Sequence, residues 1–298
     1  MAVTQVSRIL LGFPEYREAA RRLADRAGIA YADIDIHRFP DGESRVRLPE
    51  NLPERVILCR SLHEPNARLL EVELAAATAL QLGAERLTLV APYLCYMRQD
   101  TAFRAGEAVS QRVIGELLAR RFDTVITVDP HLHRVHQLAD AVPVSRAVAL
   151  TACQPMSAFL AGFAEQPLLI GPDQESEQWV AAIAAQDGLD YGIASKQRRG
   201  DREVQLSLPR ADYGGRHIVL VDDIASTGRT LEAAARQLLD YRPASISVLV
   251  THALFVNDAV ERLQAAGVQH IYSTDSIPHP SNRLPLDETL AGALSPGE

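Results

Sequence analysis

The stretch Val219-Leu220-Val221-Asp222-Asp223-Ile224-Ala225-Ser226-Thr227-Gly228-Arg229-Thr230 decides the fold. A β-branched apolar run leads into two acids and a turn of small residues, and the helical pattern Leu231 to Leu239 follows. The order is strand, loop, helix start. N–H groups at a helix start have no partner within the helix and point into the loop, which suits a phosphate. Ser226, Thr227 and Thr230 add hydroxyls, and Gly228 lets the backbone come close. Asp222 and Asp223 would not bind phosphate themselves. They can accept hydrogen bonds from the hydroxyls of a sugar, or hold a metal through water. A phosphate cradle beside a diol acceptor is the pattern of a sugar-phosphate site. The alternative is a plain buried strand ending in a capped helix, but adjacent acids after a buried strand are costly without a partner.

The whole chain must supply the setting for such a site. Its 298 residues suggest two domains of ordinary size, or one large one, and 47% apolar content is enough to build real cores. No run of about 18 apolar residues occurs, so no membrane helix is expected. The first residues lack the basic start and apolar core of a signal peptide. Cys59, Cys95 and Cys153 stand far apart with no metal-like spacing, which argues for a reducing cytoplasm. A net charge of −8 argues against nucleic-acid binding. An anionic ligand then needs a locally basic pocket.

Short β-like runs alternate with helical runs along the chain. Arg55–Cys59 reads as a strand, and residues 66–81 as a helix with Leu69, Leu70, Leu74, Ala77 and Leu80 on its apolar face. Residues 87–90, 124–128, 168–170, 192–194, 217–221, 245–250 and 270–272 read as further strands, with helices at 109–121, at 178–186 and after residue 230. Pro143 breaks the pattern, which then restarts. Continuous apolar strands separated by helices indicate parallel sheets covered on both faces. The expected fold is α/β, with two tandem domains at 1–145 and 146–298, each a mainly parallel sheet flanked by helices.

Open sheets of this kind bind ligands beyond the carboxyl ends of their strands. After Val128 come Asp129, Pro130 and His131, with His133 and His136 close by. His131 and Asp129 could serve a divalent ion, directly or through water; the spacing does not resemble a closed zinc site, so magnesium fits at least as well. After Ile170 comes Asp173, a second carboxylate suited to a metal. Arg98 and Gln99 follow the strand at 87–90 and can contact phosphate or a base. Lys196, Arg198, Arg199 and Arg202 put four cations in seven residues beside Gly200, reading as a mobile basic loop able to close over polyphosphate. Phe39, within Arg38-Phe39-Pro40-Asp41-Gly42-Glu43, could stack on a base, although burial is the commoner fate of phenylalanine. No GxxxxGK[ST] and no GxGxxG after a strand is present.

Taken in order, these segments resemble the ribose-phosphate pyrophosphokinase family over almost the whole chain. The resemblance implies two phosphoribosyltransferase-like domains, ATP on the first and ribose 5-phosphate on the second. It implies transfer of the diphosphoryl group of ATP to the anomeric hydroxyl of ribose 5-phosphate, as part of nucleotide biosynthesis. Lys196 and Arg198 would be catalytic. Phe39, Asp41, Glu43, Arg98 and Gln99 would bind ATP, the first three serving a neighbouring subunit of a homo-oligomer. Asp222 and Asp223 with Ser226, Thr227, Gly228, Arg229 and Thr230 would hold ribose 5-phosphate, and His131 and Asp173 would serve Mg2+. Four departures from the family pattern stand out: Ser226 replaces an acid, Arg229 follows Gly228, Gln174-Glu175-Ser176 replaces paired glycines, and Gln197 replaces a frequent basic residue between Lys196 and Arg198. Two other readings are a phosphoribosyltransferase and a non-catalytic regulatory relative of the synthetase. Chain length and the Lys196, His131 and Phe39 segments count against the first. Retention of Lys196, Arg198, His131 and Asp222 counts against the second.

Overall fold

The structure, a computed structural model, describes residues 8–199 and 203–294, with the backbone alone for 196–199 and 203–205. The chain forms two units. One runs up to Thr151 and takes in the C-terminal segment from Leu286, and the other is Ala152–Pro285.

In the first unit β1 (Arg8–Gly12) buries Leu10 and Leu11. Helix α1 (Arg17–Ala27) follows and stops at Gly28, whose φ of 64° is the left-handed turn that a glycine C-cap supplies. Then come β2 (Ala30–Asp33) and a separate antiparallel ribbon of β3 (Asp35–Arg38) and β4 (Ser44–Arg47). The chain continues through β5 (Arg55–Cys59), α2 (Pro65–Gln81), β6 (Arg86–Ala91), α3 (Ser110–Ala119), β7 (Thr124–Val128), α4 (Leu138–Ala141) and β8 (Arg146–Leu150). The sheet order is β2-β1-β5-β6-β7-β8, with every neighbouring pair parallel.

The second unit repeats the plan. Its elements are α5 (Cys153–Leu160), β9 (Leu168–Gly171), α6 (Glu177–Asp187), β10 (Tyr191–Ile193), the antiparallel ribbon β11 (Ser195–Arg199) and β12 (Glu203–Ser207), β13 (His217–Ala225), α7 (Arg229–Leu239), β14 (Ser245–Ala253), α8 (Ala259–Ala265), β15 (His270–Thr274) and β16 (Asn282–Leu284). The order β10-β9-β13-β14-β15-β16 is again all parallel. Helix α9 (Asp287–Ala293) then closes the first unit, where Arg26 Nε meets Asp287 Oδ2 at 2.8 Å. Each sheet reverses its strand order at one place, between β1 and β5 or between β9 and β13, and such a switch point opens a crevice at the carboxyl ends.

Four sequence expectations change. The division expected at residue 145 falls after Thr151, because residues 146–150 pair with β7 as β8, and α9 rejoins the first unit. The apolar face expected on α2 is not the buried one. Leu70, Leu74 and Leu80 are exposed, whereas Arg68, Leu69, Glu71, Val72, Ala75, Ala76 and Ala79 are buried. The alanines let the helix close on the sheet, and the two charged residues are paired, Glu71 with Arg60 and Arg68 with Glu64. The strand expected to end at Val221 continues to Ala225, with Ile224 and Ala225 still in register with His252 and Ala253. Residues 195–199, expected as a loop, form one arm of the β11–β12 ribbon.

Candidate active site

In the second unit, the switch point between β9 and β13 gathers the loop of residues 226–230 and the acids. Val219, Leu220 and Val221 are fully or almost fully buried, and they carry the backbone outward to Asp222 and Asp223 at the carboxyl edge. Asp223 is 2% exposed, and its N–H donates to Asp222 Oδ1 at 3.0 Å. Burial, then the nearby charges of Asp223 and Asp173, push the Asp222 carboxyl well above its usual range. Three carboxylates therefore converge here, an arrangement that costs free energy until a cation or hydroxyl donors arrive.

Residues 226–228 span from β13 to α7. Gly228 is the N-cap with φ 69°, a backbone conformation that glycine adopts without strain, and no side chain caps the helix. The N–H of Glu232 is the first in α7 to close back, onto the Gly228 carbonyl at 2.8 Å. The earlier N–H groups of α7 thus have no helical acceptor. Thr227 and Arg229 are exposed, Ser226 and Thr230 half-buried. The loop is braced from outside. The N–H groups of Phe255 and Val256 donate to the carbonyls of Ala225 and Ser226 at 2.8 and 3.0 Å, and Arg262 donates to the Thr227 carbonyl.

Asp173 caps the turn after β9, where its Oδ1 accepts from the Glu175 N–H at 3.1 Å. Ser176 is fully buried, and its hydroxyl donates to the Asp173 carbonyl at 2.6 Å. A Cβ on Gly171 would lie 2.3 Å from the Ser176 Oγ, so the close approach of turn and strand needs glycine there. Lys196 and Arg198 lie on β11, in register with Leu206 and Val204 of β12, and their side chains fall outside the described residues.

The first unit carries the other expected residues. Phe39 is 42% exposed at the tip of the β3–β4 ribbon, rather than buried, and its ring meets His37 edge-on at 4.7 Å. Its N–H donates to the Glu43 carbonyl at 2.8 Å, and Asp41 Oδ1 accepts from the Glu43 N–H at 3.1 Å. Arg98 is exposed, and Gln99 Oε1 accepts from the Ser110 hydroxyl at 3.2 Å. Beyond β7, Asp129 is buried with φ 38°, a strained conformation for a residue with a side chain. His131 and His133 follow, with their Nε2 atoms 2.6 Å apart.

Sequence reasoning did not reveal two polar clusters in this unit. Asp100 accepts from the Arg134 backbone at 3.1 Å and from its guanidinium at 2.7 Å, which ties the Arg98 loop to the His131 loop. Burial pushes the Asp100 carboxyl up, but these bonds hold it below its usual range. The second cluster surrounds Arg60, directly after β5, and its partner Glu71, and both side chains are fully buried. The one sequence signal for it is an arginine closing an apolar strand.

A model of the N-terminal domain of ribose phosphate pyrophosphokinase matches residues 9–121, and a phosphoribosyl transferase domain model matches residues 156–282. The ribose-phosphate pyrophosphokinase of Methanopyrus kandleri is 32% identical over 96% of this chain and 98% of its own length. That of Methanosarcina mazei is 31% identical over 96% of this chain and 95% of its own. The crystal structure of phosphoribosylpyrophosphate synthetase from Mycobacterium smegmatis shares the fold, with a TM-score of 0.81, 21% identity, and coverage of 96% of this chain and 97% of that one. Two matching domain models and relatives matched over nearly their whole length agree, and the chain belongs to the ribose-phosphate pyrophosphokinase family.

Proposed function

We propose that the chain transfers the diphosphoryl group of ATP to the anomeric hydroxyl of ribose 5-phosphate, giving phosphoribosyl pyrophosphate and AMP. The observation that carries this is the β9–β13 switch point, where the uncapped start of α7 stands beside Asp222, Asp223 and Asp173. The 5-phosphate would lie on the free N–H groups and hydroxyls of Ser226 to Thr230. Asp222 and Asp223 would accept from the ribose hydroxyls, which fixes the anomeric oxygen for attack. ATP would be held by Arg98 and Gln99, with Phe39, Asp41 and Glu43 closing on adenine from a neighbouring subunit of an assembly at least dimeric.

The anomeric oxygen bonds to the β-phosphorus as the bond from that phosphorus to the α–β bridging oxygen breaks. The hydroxyl loses its proton and AMP leaves with the bridging oxygen. Such a transfer needs alignment and charge stabilisation more than covalent help. Lys196 and Arg198 on β11 would supply that charge. The crowded carboxylates of the second unit fit a divalent cation, since they repel one another without one. Asp173 would hold Mg2+ in the second unit and His131 in the first. The metal's contribution, when bound, is to neutralise and orient phosphate oxygens. Among the described residues no helix is long and apolar enough to cross a membrane, and the acidic net charge and the wide spacing of the cysteines favour a cytoplasmic enzyme that does not bind nucleic acid.

The test is phosphorus NMR of the protein with ATP, Mg2+ and ribose 5-phosphate. AMP and phosphoribosyl pyrophosphate should appear in equal amounts and only with the sugar present. ADP in place of AMP would refute diphosphoryl transfer, and ATP binding without turnover would favour a regulatory relative.

A further inference from the structure

We propose that Glu71 of α2 is a positioning residue, fixing the Phe39-to-Glu43 turn and through it the purine end of the nucleotide. The inference rests on reading that turn as the adenine side of the ATP site.

Two-stranded ribbons are at best marginally stable alone, so β3–β4 needs an anchor. Ile36 and Val46 face each other across the ribbon and pack on the first unit's core. On its β3 side, however, Ile36 and Arg38 border a cavity of about 400 Å3 with Pro14, Glu15, Arg60 and Arg68. Packing beneath that strand is therefore incomplete. Both feet of the turn, Arg38 and Ser44, reach one carboxylate instead. Glu71 Oε1 accepts from the Ser44 hydroxyl at 2.7 Å and from Arg38 Nε at 3.3 Å. The Arg38 and Ser44 Cα atoms are themselves paired across the ribbon. One carboxylate oxygen thus holds the base of the turn that presents Phe39.

The carboxylate is itself immobilised. Glu71 Oε2 accepts from Arg60 Nη2, and both side chains are only 1% exposed. Arg60 donates to Glu15 Oε1 at 2.6 Å and to the Arg68 carbonyl at 3.1 Å, and its guanidinium lies 4.1 Å from the centre of the Phe13 ring. Arg68 pairs with Glu64 at 2.9 Å. Burial, then the charges of Arg68 and Arg60, push His63 down to about 3, so it adds no further positive charge. Burial alone would raise the Glu71 carboxyl, but the bonds from Ser44, Arg60 and Arg38 hold it below its usual range. Arg60 follows β5 at the switch point of the first sheet, so these ion pairs line the crevice there. They tie α2, β5 and the ribbon together.

Replacing Glu71 would leave Arg60 buried without its main partner and endanger folding. The test therefore uses the full chain carrying Arg38→Met with Ser44→Ala, which keeps the Arg60–Glu71 pair, beside Phe39→Ala and Ser44→Thr. Hydrogen exchange over residues 39–43 and steady-state kinetics are read together. In the double variant exchange should speed up and KM for ATP rise about tenfold, the scale of losing hydrogen bonds to a charged group. The kcat and the KM for ribose 5-phosphate should stay within about twofold, and Ser44→Thr should behave like the parent. If Phe39→Ala raises KM for ATP and the double variant does not, Glu71 does not position the turn for nucleotide. Faster exchange in the double variant with an unchanged KM in Phe39→Ala would instead overturn the adenine reading itself. Unchanged exchange in the double variant would refute the anchor outright.

Discussion

Gly171→Ala should damage both stability and turnover, by an amount that the packing around β9 sets. The added Cβ would stand 2.3 Å from Ser176 Oγ, 2.7 Å from Ile193 Cδ1 and 3.2 Å from Val180 Cγ2. The Ile193 methyl is the end of a flexible chain and can turn away. Ser176 cannot, because it is fully buried and its hydroxyl donates to the Asp173 carbonyl. Restoring ordinary contact requires a shift of about 1 Å, and overpacking of that kind costs about 1–3 kcal/mol. For a unit of this size that corresponds to a fall of roughly 3–10 °C in melting temperature. Asp173 moves with Ser176, and a 1 Å misplacement at a reacting site can cost roughly a hundredfold in rate. Calorimetry and AMP release measure the two effects. Gly292→Ala is the control: it lies in α9, a Cβ there meets nothing within 4 Å, and helix propensity favours alanine by about 0.5–1 kcal/mol. A Gly171→Ala protein that melts within 1 °C of the parent and turns over normally would refute the reasoning.

Two further substitutions probe charge. In the folded chain Asp222 keeps its proton to higher pH than in the unfolded chain, so stability falls as pH rises above the ordinary carboxylate value near 3.9 and levels off past the folded one. Asp222→Asn should melt higher than the parent at pH 8, by roughly 0.5–2 kcal/mol, with the gap closing toward pH 4, and should lose ribose 5-phosphate affinity. A gap independent of pH would show that like-charge crowding is not the cause. Lys196→Ala should lower turnover by about a hundredfold or more with an unchanged melting curve, since removing preorganised charge costs that much. Near-normal turnover would remove Lys196 from the chemistry.

Strands β5, β6, β7, β9, β10, β13, β14 and β15 were legible as short runs rich in apolar residues, and their ends pointed to Asp173, Asp222 and the Ser226 loop, whereas β1, β2, β8 and β16 were not read as strands. What failed had physical causes. The acid pair read as the end of β13, yet Ile224 and Ala225 keep pairing with β14, because a ladder tolerates one polar step at its open edge. Lys196 to Arg199 carries no apolar alternation, so nothing in the sequence distinguished the arm of a ribbon from a loop. The leucines of α2 outweighed its alanines on any hydropathy count, and a glutamate at position 71 reads as a solvent face. Only the position of Arg60 beneath it shows why the charged residue lies inside. Phe39 stands exposed, in keeping with the charged residues that flank it in the sequence.

Because α9 belongs to the first unit, the second unit is an insertion in the gene order of the first. A ribosome releases the body of the first unit about 135 residues before it releases Leu286, Leu290 and Leu294, all buried in the finished protein. At about 5–20 residues per second that delay is on the order of 7–27 s. For that time α1 waits without the helix whose Asp287 will bind Arg26. The nascent chain therefore exposes an apolar seat until α9 is made, and a chain lacking Leu286, Leu290 and Leu294 would leave that seat open.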